Sequence, residues 1–458
     1  MLATLSKRER AGLRELLAVS YFNQKAILRQ LYTTLETQLP TGHPHLDRPA
    51  IWERLLPKQT YDDAKLRQWM TQLTRLVEQF LAFSQVTQDT VTTKEQAAKR
   101  LVAAEQHELA ERLAKEAQAK RRKHPQRNAD YWLATYRYAS DRFQQQLSEQ
   151  PGAVESYTAT HQQLELVFLA LKFRQRTWLT NHSLLFNRDL PNSKLDQFLD
   201  TLTEVDLPDA PAVRVYYYGY QLLRAADPAA AFERFKAVLF AHSQVFPKAE
   251  ALDLYLLAIN FGIRQINAGY RHFFPAVMDL YKDALDRGYL LSKGELSRFT
   301  YHNMVTIALQ TQEVNWAEDF IDTWTSKLER RYRERMQNFS RARIAYARQD
   351  YGAALPLLQQ ANYHDSLLNL GARTLLLKIY YELGELDVLQ SHLDAFQSYI
   401  RRKADLTYHR ANYRNLIGFT RKLLKLPPNG QKKREHLREQ IIRAKVLTEK
   451  EWLLSQLN

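Results

Sequence analysis

The chain contains no cysteine. Disulfides, thiolate metal ligands and a cysteine nucleophile are therefore excluded, and a reducing compartment is the expected setting. Glycine and proline are scarce, 13 and 15 in 458 residues, so few positions interrupt helix. Long apolar runs are missing too. The longest, Leu164 to Phe173, carries Glu165 and Lys172 and is too short to span a bilayer. Lys7, Arg8, Glu9 and Arg10 stand where a secretory leader needs apolar residues, so a cytoplasmic location is expected.

Signatures of chemistry are equally sparse. The sequence has no GxxxxGK[ST], GxGxxG, HExxH or GxSxG pattern. The thirteen histidines are scattered. The one close pair, His43-Pro44-His45 with Asp47 nearby, reads as a surface turn, because a metal would need a further ligand. No pair of carboxylates recurs on one helical face in a way that suits acid–base work. The expectation is a non-enzymatic protein with no cofactor and no metal.

What is present favours helix. Leu, Ala, Gln, Arg and Lys are abundant, and all are good helix formers. The net charge of +15 is uneven. Arg401 to Lys445 holds fourteen Lys/Arg against three Asp/Glu, and Asp322 to Arg348 holds eight against three. The remainder is near neutral. Such a positive end attracts nucleic acid, an acidic protein or an anionic surface, unless it is simply a solvated helix face.

Apolar spacing predicts one long helix over residues 1–39, closed by Pro40 to Pro44, and a short helix around Ile51, Trp52 and Leu55. A third, capped at Asp62 or Asp63, carries Leu66, Trp69, Leu73, Leu76, Val77 and Phe80. Thr92 with Glu95 predicts the start of a charged helix ending at Lys120-Arg121-Arg122-Lys123, where cations favour the helix dipole. Helical hairpins follow, with breaks at Pro151-Gly152, Pro191, Pro208 to Pro211, Asp227-Pro228, Pro247 and Gly288, and no strand is predicted. The expected organisation is an N-terminal helical bundle or cap over 1–125, a hairpin array over 126–426 and basic capping helices over 427–458. Pro427-Pro428-Asn429-Gly430 is the hinge before the last segment, where Ile441, Ile442, Val446, Leu447, Trp452, Leu453 and Leu457 form an apolar face.

Trp316, Tyr351 and Leu386 are spaced 35 apart, and each opens an amphipathic segment. A period of this size marks stacked helical hairpins, since one hairpin cannot bury its own apolar face. One hairpin has Gly219, then Ala231, Phe235 and Val238. Another has Ala342, then Ala354, Leu358 and Ala361. A third has Leu377, Tyr380, Tyr381 and Gly384, then Leu389, Leu393 and Phe396. A fourth has Ile307, Trp316 and Phe320, with Asp319 where a small residue belongs, and a stretched hairpin lies between Leu254 and Ala284. Small residues let the two helices of a hairpin approach, and a large neighbour fills the remaining gap.

On these residues, roughly 210–420 resembles the tetratricopeptide repeats. The resemblance implies an all-α, right-handed solenoid of hairpins whose first helices line a concave groove. Carried onto this sequence, groove positions fall at Tyr216, Tyr220 and Arg224, at Arg343 and Tyr346, at Lys378 and Tyr381, and at His409 and Tyr413, with Arg410 and Arg414 beside them. That aromatic and basic set suits an acidic peptide, a terminal carboxylate or a phosphate-bearing ligand. Packing between helices is the competing role for each tyrosine. The functions in contention are a cytosolic scaffold or adaptor binding an acidic protein segment, a nucleic-acid-binding repeat protein using the basic end, and a ligand-sensing regulator with an N-terminal effector bundle.

Overall fold

The computed structural model describes residues 1–38, 47–149, 154–186, 188–189, 193–359, 366–403, 409–427 and 430–457. The fold is all-α, with twenty-two α-helices among the described residues. Contacts divide the chain into two compact units, Met1–Val167 and Phe168–Asn458, and the division falls inside α8 (Val154–Phe186). The turn His43-Pro44-His45 lies outside the described residues.

The first unit begins with α1 (Lys7–Ala18), α2 (Ala26–Gln38), α3 (Arg48–Leu55) and α4 (Asp63–Gln88). The predicted single helix over 1–39 is corrected to two. Asn23 causes the break: its amide donates to Leu17 O at 3.0 Å, and its Oδ1 accepts the Lys25 N–H at 3.0 Å. Such local side-chain bonds offer the backbone an alternative to helix. Asp62, not Asp63, caps α4. Leu13, Leu17, Leu31, Tyr32, Ile51, Leu66 and Phe80 form the core, with Trp52 stacked on Trp69 at 5.4 Å.

Next come α5 (Thr90–Val102), α6 (His107–Lys123) and α7 (Ala129–Glu149). The charged helix expected from Thr92 to Lys123 is two helices, and Asp89 caps the first by accepting from Val91 and Thr92 N–H. Between them Glu105 takes a left-handed φ of 57°, and Gln106 N–H closes the turn on Leu101 O at 3.0 Å. Arg121 of the basic cluster is buried and ion-paired with Glu95. Near residue 125, where composition marked a boundary, α6 and α7 pack together.

The second unit continues with α9 (Lys194–Thr201), then the pairs α10 (Pro211–Leu222) and α11 (Pro228–His242), and α12 (Lys248–Asn267) and α13 (Phe273–Asp286). After them come α14 (Arg298–Gln310) with α15 (Val314–Trp324), α16 (Arg333–Ala347) with α17 (Tyr351–Gln359), and α18 (Ser366–Glu382) with α19 (Leu386–Arg402). The chain ends in α20 (His409–Leu424), α21 (Gln431–Arg443) and α22 (Lys450–Ser455). Partners within each pair pack on one another, and α10 also meets α12, α14 meets α16, and α16 meets α18. A two-residue hairpin, β1 (Leu291–Ser292) and β2 (Glu295–Leu296), corrects the expectation of no strand. Lys293 and Gly294 take positive φ of 51° and 83°, as a tight primed turn requires.

Trp316, Tyr351 and Leu386 each lie in the first turn of the second helix of a pair. The turns before them are built alike. Gln312, Gln349 and Gly384 adopt left-handed φ of 62°, 61° and 73°. The acid after each sends its N–H back to the preceding helix: Glu313 to Ala308 O at 2.8 Å, Asp350 to Ala345 O at 2.9 Å, and Glu385 to Tyr380 O at 3.0 Å. This closure satisfies carbonyls that a helix end leaves open, and the acid favours the next helix N-terminus.

Small residues mark the close approaches. A Cβ on Gly219 would meet Phe235 at 3.2 Å, one on Gly262 would run into Val277, and one on Gly371 would meet Phe339 at 2.7 Å. Ala342, Ala354, Leu377, Leu389, Leu393 and Phe396 are fully buried, while Ala361 lies outside the described residues. The basic terminal segment does not stand apart. Leu437, Ile441, Trp452, Leu453 and Leu457 share one core with Leu370, Leu377, Phe396 and Leu416, although Ile442 is exposed.

Candidate functional site

Within the second unit, α14, α16, α18 and α20 line a cavity of about 560 Å³, and Thr448 and Glu449 complete the lining. Helical spacing explains the lining. His302 and Thr306, Phe339 and Arg343, and Gly371 and Thr374 lie three or four residues apart and so share a face of their helix. Met336, Phe339, Leu368 and Leu375 supply apolar wall. A cavity of this size, with apolar wall and polar side chains such as Arg298, Asn303, Gln310, Arg343 and Lys378 in its lining, falls in the range of ligand sites.

Arg343 is half-buried. Its Nη1 donates to Thr306 Oγ1 at 2.9 Å, and its guanidinium lies 5.8 Å from the Phe339 ring. Burial pulls its pKa down to about 10, against the opposing field of Glu449. Lys378 Nζ pairs with Glu449 Oε2 at 3.0 Å and sits over the rings of Tyr346, at 4.7 Å, and Trp452, at 5.8 Å. Glu382, at the end of α18, accepts three hydrogen bonds: from Tyr346 Oη at 2.6 Å, Tyr351 Oη at 2.7 Å and Trp452 Nε1 at 2.6 Å. Burial, and then the bond to Glu382, hold the Tyr346 hydroxyl far above its ordinary range. The same two causes push Tyr351 up to about 12.

The chain's own C-terminal segment thus lies on this face. Asn415 holds it by donating to Val446 O at 2.7 Å. Glu449 takes a left-handed φ of 56° and turns the chain into α22. Trp452 then meets Tyr381 edge to face at 5.4 Å, and Arg271 pairs with Glu451.

Of the positions read from the sequence, Arg343, Tyr346, Lys378 and Tyr413 line this cavity. Burial pushes the Tyr413 hydroxyl up to about 12. Tyr381 does not line the cavity and instead packs edge to face on Trp452. His409 opens α20, and its side chain lies outside the described residues. Tyr216, Tyr220 and Arg224 form a different cluster. Both tyrosines are fully buried. Tyr216 donates to Glu250, Tyr220 donates to Asp200 at 2.6 Å, and Arg224 pairs with the same Asp200. Packing accounts for them, and none lines the cavity.

Sequence reasoning missed Thr306, Thr374, Glu382 and Glu449. Apart from Glu382, which comes two residues before the glycine of a repeat turn, no local pattern announces them. The basic stretches are partly neutralised on the surface: Arg341 with Asp322 at 2.8 Å, Arg348 with Glu318 at 2.5 Å, and Arg421 with Asp394 at 2.5 Å. Among the described residues, no group of three or more His, Asp or Glu side chains is arranged to hold a metal, and no helix is long and apolar enough to cross a membrane. Compared with protein-family models, with curated proteins and with solved structures, the chain matches none.

Proposed function

We propose that the chain is an interaction protein that binds an acidic segment of a partner on the face formed by α16, α18 and α20. Residues 210–420 are read as a degenerate tetratricopeptide-like solenoid, whose first helices present that face. The recurring turn at Gln312-Glu313, Gln349-Asp350 and Gly384-Glu385 supports this, as do the contacts of α10 with α12, α14 with α16 and α16 with α18. The protein acts as a scaffold or adaptor in the cytoplasm, without catalysis.

One observation carries the reading: the basic and aromatic face already holds a carboxylate and an indole from its own chain. Glu449 on Lys378, and Trp452 between Tyr381 and Glu382, form a one-turn recognition unit. A partner segment with an acid followed three residues later by Trp would make the same contacts. It would first have to displace residues 446–452, which compete at the millimolar effective concentration, in order of magnitude, of a tethered ligand.

The test is a side-by-side titration of an acidic Glu-x-x-Trp peptide and of single-stranded nucleic acid across a salt series. Peptide binding with moderate salt dependence, lost in Lys378→Glu, supports the proposal. Nucleic-acid binding with a steep salt slope, paired with no peptide binding, overturns it in favour of the basic end.

A further inference from the structure

We infer that the cavity beneath the C-terminal segment is a site for a small organic anion, a carboxylate or phosphate monoester with an apolar body, anchored by Arg343. This goes beyond the binding of a protein segment and does not depend on it. The segment contacts centre on Lys378, Glu382 and Trp452, whereas the anion's place is at Arg343 and Thr374; Lys378 and Glu449 line the same cavity.

A guanidinium has five N–H donors in a planar fork. Arg343 spends one nitrogen on a neutral hydroxyl, Thr306 Oγ1, and has no ion-pair partner among the described residues. The other ion pair of the cavity is already made: Lys378 holds Glu449. The field of Glu449 reaches Arg343, but that carboxylate is bonded to Lys378, so an oxyanion accepting from both arms of the fork supplies the direct partner this half-buried cation lacks. Thr306 does not need Arg343, since its hydroxyl donates to His302 O at 2.7 Å. The guanidinium is therefore poorly explained as a clamp for Thr306.

The second observation is independent. Thr374 is 6 % exposed, lines the same cavity, and its Oγ1 has no hydrogen-bond partner. Buried hydroxyls are normally satisfied, and an unmade bond there costs free energy. An oxyanion reaching from Arg343 toward α18 supplies an acceptor. Around these groups stand Met336, Phe339, Leu368 and Leu375, which suit an apolar ligand body. Phe339, packed against Gly371 with the His302 ring stacked on it at 5.9 Å, gives that wall an aromatic character.

The experiment uses the full chain with its C-terminal segment seated. Phenyl phosphate, benzoate, inorganic phosphate and neutral benzyl alcohol are titrated by calorimetry, with thermal unfolding alongside. Saturable one-to-one binding of phenyl phosphate or benzoate, with a raised midpoint and no response to benzyl alcohol, is expected. Binding of inorganic phosphate alone would show that the oxyanion site needs no apolar body, and would overturn the ligand class. Arg343→Met weakens aromatic-anion binding by about tenfold or more, the worth of a charge-assisted hydrogen bond. The same variant, without ligand, unfolds at the wild-type midpoint or above it, because an uncompensated charge has been removed. Thr374→Val, nearly isosteric, weakens binding several-fold and leaves the unliganded midpoint at or above that of the wild type. No saturable binding of either aromatic anion to the wild type overturns the inference. So does equal binding to wild type and Arg343→Met. A lowered unliganded midpoint of Arg343→Met, with no anion effect in the wild type, assigns the guanidinium a purely structural role.

Discussion

Lys378 Nζ lies 3.0 Å from Glu449 Oε2, joining a cation of α18 to a carboxylate 71 residues downstream. Both groups are partly shielded, with side-chain exposures of 15 % and 35 %. A pair of this kind contributes on the order of 1 kcal/mol or less. Glu449→Gln is therefore expected to lower the stability of the second unit by about 0.5–1 kcal/mol in denaturant unfolding, while raising the affinity for an acidic peptide in trans. An unchanged peptide affinity would separate the pair from partner binding.

Trp452 holds the segment more strongly. It is 8 % exposed, and its indole N–H donates to Glu382. Trp452→Ala should cost about 3–5 kcal/mol from lost burial. Trp452→Phe keeps most of the apolar contact but deprives the carboxylate of one donor, and should cost about 1–3 kcal/mol. Urea unfolding of both variants measures the difference. Equal losses would mean that ring burial adds nothing beyond the hydrogen bond, and a negligible loss in Trp452→Phe would mean that the hydrogen bond contributes nothing.

Two helical glycines should respond with opposite sign. A Cβ on Gly371 meets Phe339 at 2.7 Å, so Gly371→Ala must push the cavity wall and is expected to destabilise by about 1–3 kcal/mol. Gly418, inside α20, has nothing within 4 Å of a new Cβ. Gly418→Ala should stabilise by about 0.5–1 kcal/mol through helix propensity alone. Thermal unfolding of the two single variants checks both signs.

Acid sensitivity should centre on Asp196. It is 4 % exposed and paired with Lys172 at 3.1 Å and Arg176 at 3.5 Å. Burial works to raise its pKa, but the Ser193 N–H and hydroxyl, with Lys172 and Arg176, outweigh it and hold the pKa at about 2. The folded value lies below the ordinary 3.8, so the stabilising contribution is present above that value and is lost as pH falls toward about 2. Its size is on the order of 2 kcal/mol. The wild type should lose stability over this window in urea titrations, and Asp196→Asn should flatten the loss while lowering stability at neutral pH.

The legible parts of the fold were the periodic ones. The 35-residue spacing located the second helices of three pairs, and equivalent positions on their first helices led to Arg343, Tyr346 and Lys378. Tyr216, Tyr220 and Arg224 share that register but meet Asp200 and Glu250, carboxylates that arrive from other helices. No spacing rule reports such partners. Trp452 with Glu382 is the same case, 70 residues apart. The helix breaks at Asn23 and Glu105 escaped because they rest on side-chain bonds and one left-handed residue, which apolar periodicity does not register.

The most direct measurement is fluorescence anisotropy of a labelled peptide spanning Val446 to Leu457, added to full-length protein carrying Glu449→Ala and Trp452→Ala. Circular dichroism first establishes that this variant remains helical. The account predicts saturable binding in the micromolar range, much weaker binding to the wild type, whose face is occupied, and loss on adding Lys378→Glu. Failure of the peptide to bind the folded double variant would contradict the claim that this face recognises an acidic, Trp-bearing segment.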